Sequence, residues 1–255
     1  MSSSTWTAAA LLSNAQPAAG DCWRLVETQH YVSTLKLTDT REEQERLEAL
    51  IEATKPKVPP ECQHLHYLLF TPFRYGAPYP TGSRFRRAGF TQGVFYASRS
   101  AETAAAEITF NRLLLFAESP ATPWPVNAGE FTAFRVKYAT ALSIDLTRSP
   151  FDVDRAMWRH PTDYAACQQI AENARDQGID VITYESARDP ARRLNTAILS
   201  CRAFATTEPS RPQTWRIHLS ASGARAICEF PRQSLDFGRD AFSADPRIAT
   251  LNWAR

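Results

Sequence analysis

The chain has 255 residues, 44% of them apolar and 11% aromatic, enough to bury a sizeable core as one large domain or two small ones. Its 29 basic and 27 acidic side chains leave a formal charge of +2, so no overall field points to nucleic acid or an anionic membrane, and a small molecule or a protein is the expected partner. No apolar run approaches the roughly eighteen residues of a membrane span, and residues 1–20 lack a basic stretch ahead of the apolar residues 8–12, so export is not expected.

Five cysteines, Cys22, Cys62, Cys167, Cys201 and Cys228, are odd in number and scattered, with no C-x-x-C spacing. That pattern predicts reduced thiols and a cytosolic protein. Residues 1–21, rich in Ser, Ala and Gly, read as a loose leader, and Trp23-Arg24-Leu25-Val26-Glu27 as a first strand with Arg24 and Val26 on one face. Thr40 opens a charged helix over 41–54, with Leu47, Leu50 and Ile51 on one side, and the proline-rich stretch 55–60 ends it. Such a helix reads as a cover over the core. A short apolar strand is expected over 65–70, followed by a loop dense in Pro, Gly and Arg that runs to Thr91.

Residues 93–98 read as a strand, Ser100 as a helix cap and 101–116 as a helix. Strands follow over 130–138 and 141–146. Thr162 can cap a helix over 163–177 that Gly178 ends, and strands over 180–184 and 196–199 come next. The alternation of Trp215, Ile217 and Leu219, the turn Ser220-Ala221-Ser222-Gly223, and Ala226, Cys228 and Phe230 predict a hairpin. Many separated strands with two or three helices favour a single α+β domain with mixed sheets over a doubly wound parallel sheet. It would occupy residues 22–255, with a core at about 23–204 and a hairpin extension over 205–255.

Within this frame Glu107 is the odd residue. Its neighbours along the helix include Thr103, Ala104, Phe110, Asn111 and Leu114, a stripe in which a carboxylate needs a partner or a function. A helix-start glutamate favoured by the macrodipole, or a carboxylate buried only to pair with an arginine, fits the same position. Arg84-Phe85-Arg86-Arg87, in a Gly/Pro loop, is a phosphate clamp by residue type, and equally a solvated basic turn or a nucleic-acid contact. Tyr96 is either a site aromatic or a core phenol with a bonded hydroxyl. Ser186 stands where a strand ends, with no G-x-S-x-G elbow around it, which disfavours a hydrolase nucleophile. His30, His64, His66, His160 and His218 form no H-E-x-x-H or Cys/His set, although His64 and His66 would share a strand face, so no metal site is expected. Walker A and G-x-G-x-x-G patterns are absent.

Taken as an ordered set, Trp23-Arg24, Pro72-Phe73-Arg74-Tyr75, Gly82-Ser83-Arg84-Phe85, Gly93-Val94-Phe95-Tyr96, Thr103 through Glu107, and Tyr184-Glu185-Ser186-Ala187-Arg188 with Asn195 resemble the RES domain family. The resemblance spans about residues 23–204. It implies a fold similar to ADP-ribosyltransferases and the toxin half of a RES/Xre toxin–antitoxin pair, with an Xre-family antitoxin as partner. NAD would be the substrate, with no separate cofactor: its nicotinamide–ribose bond is broken by hydrolysis or phosphorolysis, or its ADP-ribose is transferred to a protein. On the matching positions Glu107 would hold the nicotinamide ribose, Tyr96 the nicotinamide, Arg84 the pyrophosphate, and Ser186 a ribose or the carboxamide. Arg24, Arg74 and Asn195 join them as substrate ligands. A long loop from Arg84 to Tyr96 and the helix over 41–54 depart from the family pattern. A non-enzymatic nucleic-acid module using the basic loop is the reading from another class.

Overall fold

Strand β1 (Gln16–Glu27) pairs along one edge with β3 (Gly129–Asp145) and bridges β2 (Phe95–Ser98) on the other at Trp23 and Ser98. Strand β2 continues to β5 (Leu194–Ile198), β5 to β4 (Val181–Glu185), and β4 back to β3, so five strands close into a ring. Only the β3–β4 pairing is parallel, as expected where a helical crossover joins two strands. From the first half of β3 a meander branches off: β6 (Ser210–Ser220), β7 (Gly223–Cys228) and β8 (Gln233–Gly238). This computed structural model describes residues 6–28, 37–77, 80, 82–89 and 91–255, and the architecture is the expected mixed α+β one. His30 and the first residues of the expected leader lie outside the described residues.

Helix α1 (Ala8–Ser13) and β1 replace the expected loose leader. Thr7 caps the helix, and Leu11 is wholly buried against the core beside Phe151 and Ile170, so apolar packing overrides a composition that reads as disorder. Helix α2 (Arg41–Thr54) has the expected bounds, set by a capping box in which Thr40 and Glu43 bond each other's backbone. It does not cover the core. None of its residues is buried, and Leu50 and Ile51 stay 60% and 39% exposed.

The expected strand over 65–70 is instead helix α3 (Tyr67–Arg74). His66 caps it by accepting the Leu68 N–H at Nδ1, so this histidine does not share a strand face with His64. A short apolar run carries no period that separates helix from strand, and Pro72 lies inside this short helix, near its end. Behind it, a Cβ on Gly93 would lie 2.1 Å from the Pro72 carbonyl oxygen, so only glycine lets α3 pack this closely on the entry to β2.

Helix α4 (Ala101–Glu118) is capped by Ser100, whose Oγ accepts from the Thr103 N–H at 3.2 Å. Its small residues Ala104, Ala105 and Ala106 let it lie close on the sheet. Phe110, Leu113 and Phe116 then fill the core shared with Trp215, Ile217 and Phe242. The next helical pieces are the single turn α5 (Arg155–Trp158) and α6 (Ala165–Asp176), which packs on the other half of the ring around Phe85, Ile144, Ile182 and Tyr184. The cap expected from Thr162 is absent: Tyr164 stands at the cap position without a side-chain cap bond, and Asp163 before it accepts the Ala165 N–H. The last turn, α7 (Pro246–Ala249), lies against α4.

Cys62 and Cys201, 139 positions apart in sequence, form a disulfide with Cα atoms 5.7 Å apart. This corrects the expectation of five reduced thiols, and with it the cysteine argument for the cytosol. The pair was illegible because the fold, not the spacing, brings the short 3₁₀ turns Pro60–Cys62 and Cys201–Ala203 together. Cys22, Cys167 and Cys228 remain free and buried.

Candidate functional site

Trp23, Ser98, Asn195 and Tyr184 stand directly opposite one another on β1, β2, β5 and β4, so they form one row on one face of the ring. Helix α4 lays Glu107 over that row. The Asn195 Nδ2 donates to Glu107 Oε1 at 2.6 Å, while the Asn195 Oδ1 accepts from Ser98 Oγ at 2.7 Å, which fixes the amide's orientation.

Ser186, in the first position after β4, donates its hydroxyl to the same Glu107 Oε1 at 2.6 Å. Its Oγ also accepts the N–H groups of Arg188 and Asp189 at 3.1 and 2.8 Å, so one buried hydroxyl ties the turn to the carboxylate. Asp189 is held in turn by Arg193 at 2.6 Å. On the other oxygen, Arg188 Nη1 approaches Glu107 Oε2 at 3.4 Å, with the two side chains 25% and 20% exposed. Glu107 is therefore neither in bulk solvent nor sealed. Three of a carboxylate's roughly four lone-pair sites are occupied, and one side remains accessible.

The arginine–glutamate pair is surrounded by phenols. Arg188 Nη2 donates to the Tyr164 hydroxyl at 3.0 Å. Burial first, then Glu107 and Tyr96, push the Tyr184 phenol well above the ordinary tyrosine value, against the pull of Arg84 and Arg188. Opposing effects act on Arg188: burial pulls it down, but the charges of Glu107, Tyr164 and Tyr184 and the hydrogen bond to Tyr164 outweigh that and hold its guanidinium above its usual range. A depression of about 480 Å³ opens beside Tyr164, lined also by Arg87, Thr162, Asp163 and Gln168. Another, of about 450 Å³ between β1 and β3, has no titratable side chain in its lining and lies away from this network.

The structure thus brings together Glu107, Ser186 and Asn195. It places the other expected residues differently. Tyr96 is on the same face as Ser98, but its hydroxyl accepts the Phe85 N–H at 2.8 Å and pairs with Ser83 Oγ at 2.9 Å, so it anchors the 82–89 loop. Burial raises its phenol above the ordinary value, opposed by those two hydrogen bonds and by Arg175 and Arg84. Arg84 is buried, stacks over the Tyr164 ring at 5.0 Å and donates to the carbonyls of Trp158 and His160 at 2.6 and 3.1 Å. Its role as a free phosphate clamp is not reflected in this geometry. Gly82 makes the turn possible: its φ is +65°, and a Cβ there would lie 2.2 Å from the Arg86 carbonyl oxygen.

The rest of the basic run is also engaged. Arg86 donates to the carbonyls of Tyr75 and Thr91, and Arg87 grips both oxygens of Glu172. Arg24 alternates with Trp23 and so lies on the opposite face of β1 from the Glu107 row, over the Phe95 ring at 4.9 Å. Its Nη1 reaches the Tyr96 carbonyl at 2.8 Å, at the seam where β1 and β2 share a single bridge. Arg74 bonds the Pro56 carbonyl at 2.5 Å and Glu52 at 2.7 Å, joining α3 to α2.

Arg188, Tyr164 and Ser98 were not assigned roles by sequence reasoning. Ser98 had a signal, since two positions after Tyr96 it must share its strand face. Arg188 had one in its place two residues after Ser186. Tyr164 had none. Among the described residues no cluster of His, Cys, Asp and Glu is arranged to hold a metal ion, and no helix is long and apolar enough to cross a membrane.

Comparison with known proteins gives a family and a structural likeness. No curated protein matches the chain. A chain of the crystal structure of the M. tuberculosis MbcT–MbcA toxin–antitoxin complex is similar over 92% of both chains, with 12% identity and a TM-score of 0.41. The model of the RES domain matches residues 58–220, well over half of the 255-residue sequence, and its span contains Glu107, Ser186, Arg188 and Asn195 but not Arg24. The chain belongs to the RES domain family.

Proposed function

We propose that this protein is the toxin of a toxin–antitoxin pair and consumes NAD by breaking the bond between nicotinamide and its ribose. Family membership supports the toxin reading. The observation that carries the chemistry is the Glu107 carboxylate, partly open and oriented by Ser186, Asn195 and Arg188. When the glycosidic bond breaks, its electron pair leaves with nicotinamide, which departs neutral, and positive charge builds on the ribose as in glycoside hydrolysis. A carboxylate already oriented against that sugar stabilises the developing charge without reorganising. Its remaining lone-pair site, without a partner among the described residues, can accept a ribose hydroxyl. Water adding to the cation yields ADP-ribose and a proton; inorganic phosphate yields ADP-ribose phosphate.

Arg84 and Tyr96 in this reading support the site instead of touching the pyrophosphate or nicotinamide, since their polar groups already hold the 82–89 loop and the chain before α6. The partner is a cognate antitoxin of the Xre type that covers the site. Nothing in the basic run favours nucleic acid, because Arg84, Arg86 and Arg87 all have protein partners. Incubating the purified protein with NAD labelled in the adenosine half, with and without phosphate and a cell lysate, tests the reading. Free nicotinamide with labelled ADP-ribose or its phosphate is expected. Label on protein bands would assign ADP-ribosyl transfer, and no nicotinamide release under any condition would end the proposal.

A further inference from the structure

Arg188 is held more elaborately than a casual ion pair requires. Its guanidinium stacks on the Phe110 ring at 4.8 Å, and Phe110 is backed edge-on by Phe242 at 5.8 Å, from the part of the chain beyond the family match. One tip donates to Tyr164 and the other faces Glu107, while Nε is buried with no hydrogen-bond partner among the described residues. At 3.4 Å the contact to Glu107 is longer than the roughly 2.7–2.9 Å of a tight charge-assisted bond, so it acts more by charge than by hydrogen bonding.

We infer that Arg188 is the positioning residue for Glu107, a fixed cation caged by Phe110 and Tyr164 that keeps the carboxylate turned towards the open side of the site. The inference rests on the reading of Glu107 as the acting group. Around that carboxylate stand the Tyr184 phenol from β4, Tyr164 ahead of α6, the Asp189–Arg193 pair from the loop, and the neutral donors Ser186 and Asn195. Among the described residues Arg188 is the cation paired with it. Without that partner the carboxylate can turn away from the sugar, and a misaligned charge offsets the developing positive charge poorly.

Arg188→Met and Arg188→Lys test this by steady-state NAD turnover, with folding matched by circular dichroism. For Arg188→Met kcat should fall about tenfold or more while KM changes by less than about threefold. Arg188→Lys should restore only part of kcat, because a point charge lacks the plane that stacks on Phe110. If the methionine variant does not fold, the lysine variant decides alone: a lowered kcat with KM kept supports the inference, and wild-type kcat overturns it. A raised KM with intact kcat in Arg188→Met would also overturn it. Should the wild type leave NAD intact, the NAD reading fails, while the ¹³C line of the labelled Glu107 carboxyl, displaced in Arg188→Met and unmoved if Arg188 does not hold it, still decides the role of Arg188.

Discussion

Buried phenols and thiols set how this protein responds to alkali. Burial, the largest effect, pushes the Cys22 thiol from 9.0 up to about 12, with Asp21 adding to the rise and Arg99 and Arg24 opposing it. The native state therefore keeps a proton that the unfolded chain gives up from about pH 9, so the stabilisation is fully present below that value and is lost as pH climbs towards 12. Cys167, Tyr96 and Tyr184 are raised in the same direction, the phenols from an ordinary value of 10.0. Urea midpoints should fall progressively above pH 9. Cys22→Ala should make that fall shallower between pH 9 and 10, before the tyrosines join; identical slopes would show that Cys22 is not held protonated. At this scale Glu107 was legible because a carboxylate among apolar helical neighbours needs partners, and two of those partners, Ser186 and Asn195, were named with it. Tyr96 and Arg84 find protein partners that the sequence reading did not name. Which hydrogen-bond partner a buried polar group finds depends on distant chain, here Phe85, Trp158 and His160, and no local pattern encodes it.

Two helices with strong cap signals have the starts that the sequence displays. Ser100 before α4 and Thr40 with Glu43 before α2 fix both starts through cap hydrogen bonds that the sequence displays directly. Helix α3 has no such signature, and β3 runs as one strand where a break was expected between 138 and 141. Strand β8 was missed, since its exposed polar residues alternate only weakly. Arg74, expected at the substrate, belongs to this scale: it bonds Glu52 and the Pro56 carbonyl and so fastens α2, a helix with no buried residue, to α3. Arg74→Ala should speed amide hydrogen exchange throughout α2 while KM for NAD stays within about twofold of wild type. A large rise in KM with unchanged exchange would return Arg74 to the substrate site.

For the molecule as a whole, the closed ring β1–β2–β5–β4–β3 explains why residues 90 or more positions apart meet. Ser98 and Asn195 are cross-strand partners, and α4 spans the same face. The meander β6–β8 and the chain end are more than an added edge. Trp215, Phe242, Ile248 and Leu251 share the core that seats α4, and Arg255 bonds the carbonyls of Phe116, Ser119 and Thr122 at that helix's C-terminal end. The chain order of strands and helices made the α+β class legible. Closure of the ring was not, since it depends on which edge of the long β3 each partner takes. All of this converges on one carboxylate, so the most direct measurement is the initial rate of NAD loss with purified wild type and Glu107→Gln, matched for circular dichroism and melting temperature. The amide keeps the shape and removes the charge, and the rate should fall by about a hundredfold or more, the size of effect seen when a preorganised electrostatic group is lost. A folded Glu107→Gln protein that consumes NAD at the wild-type rate would contradict the account.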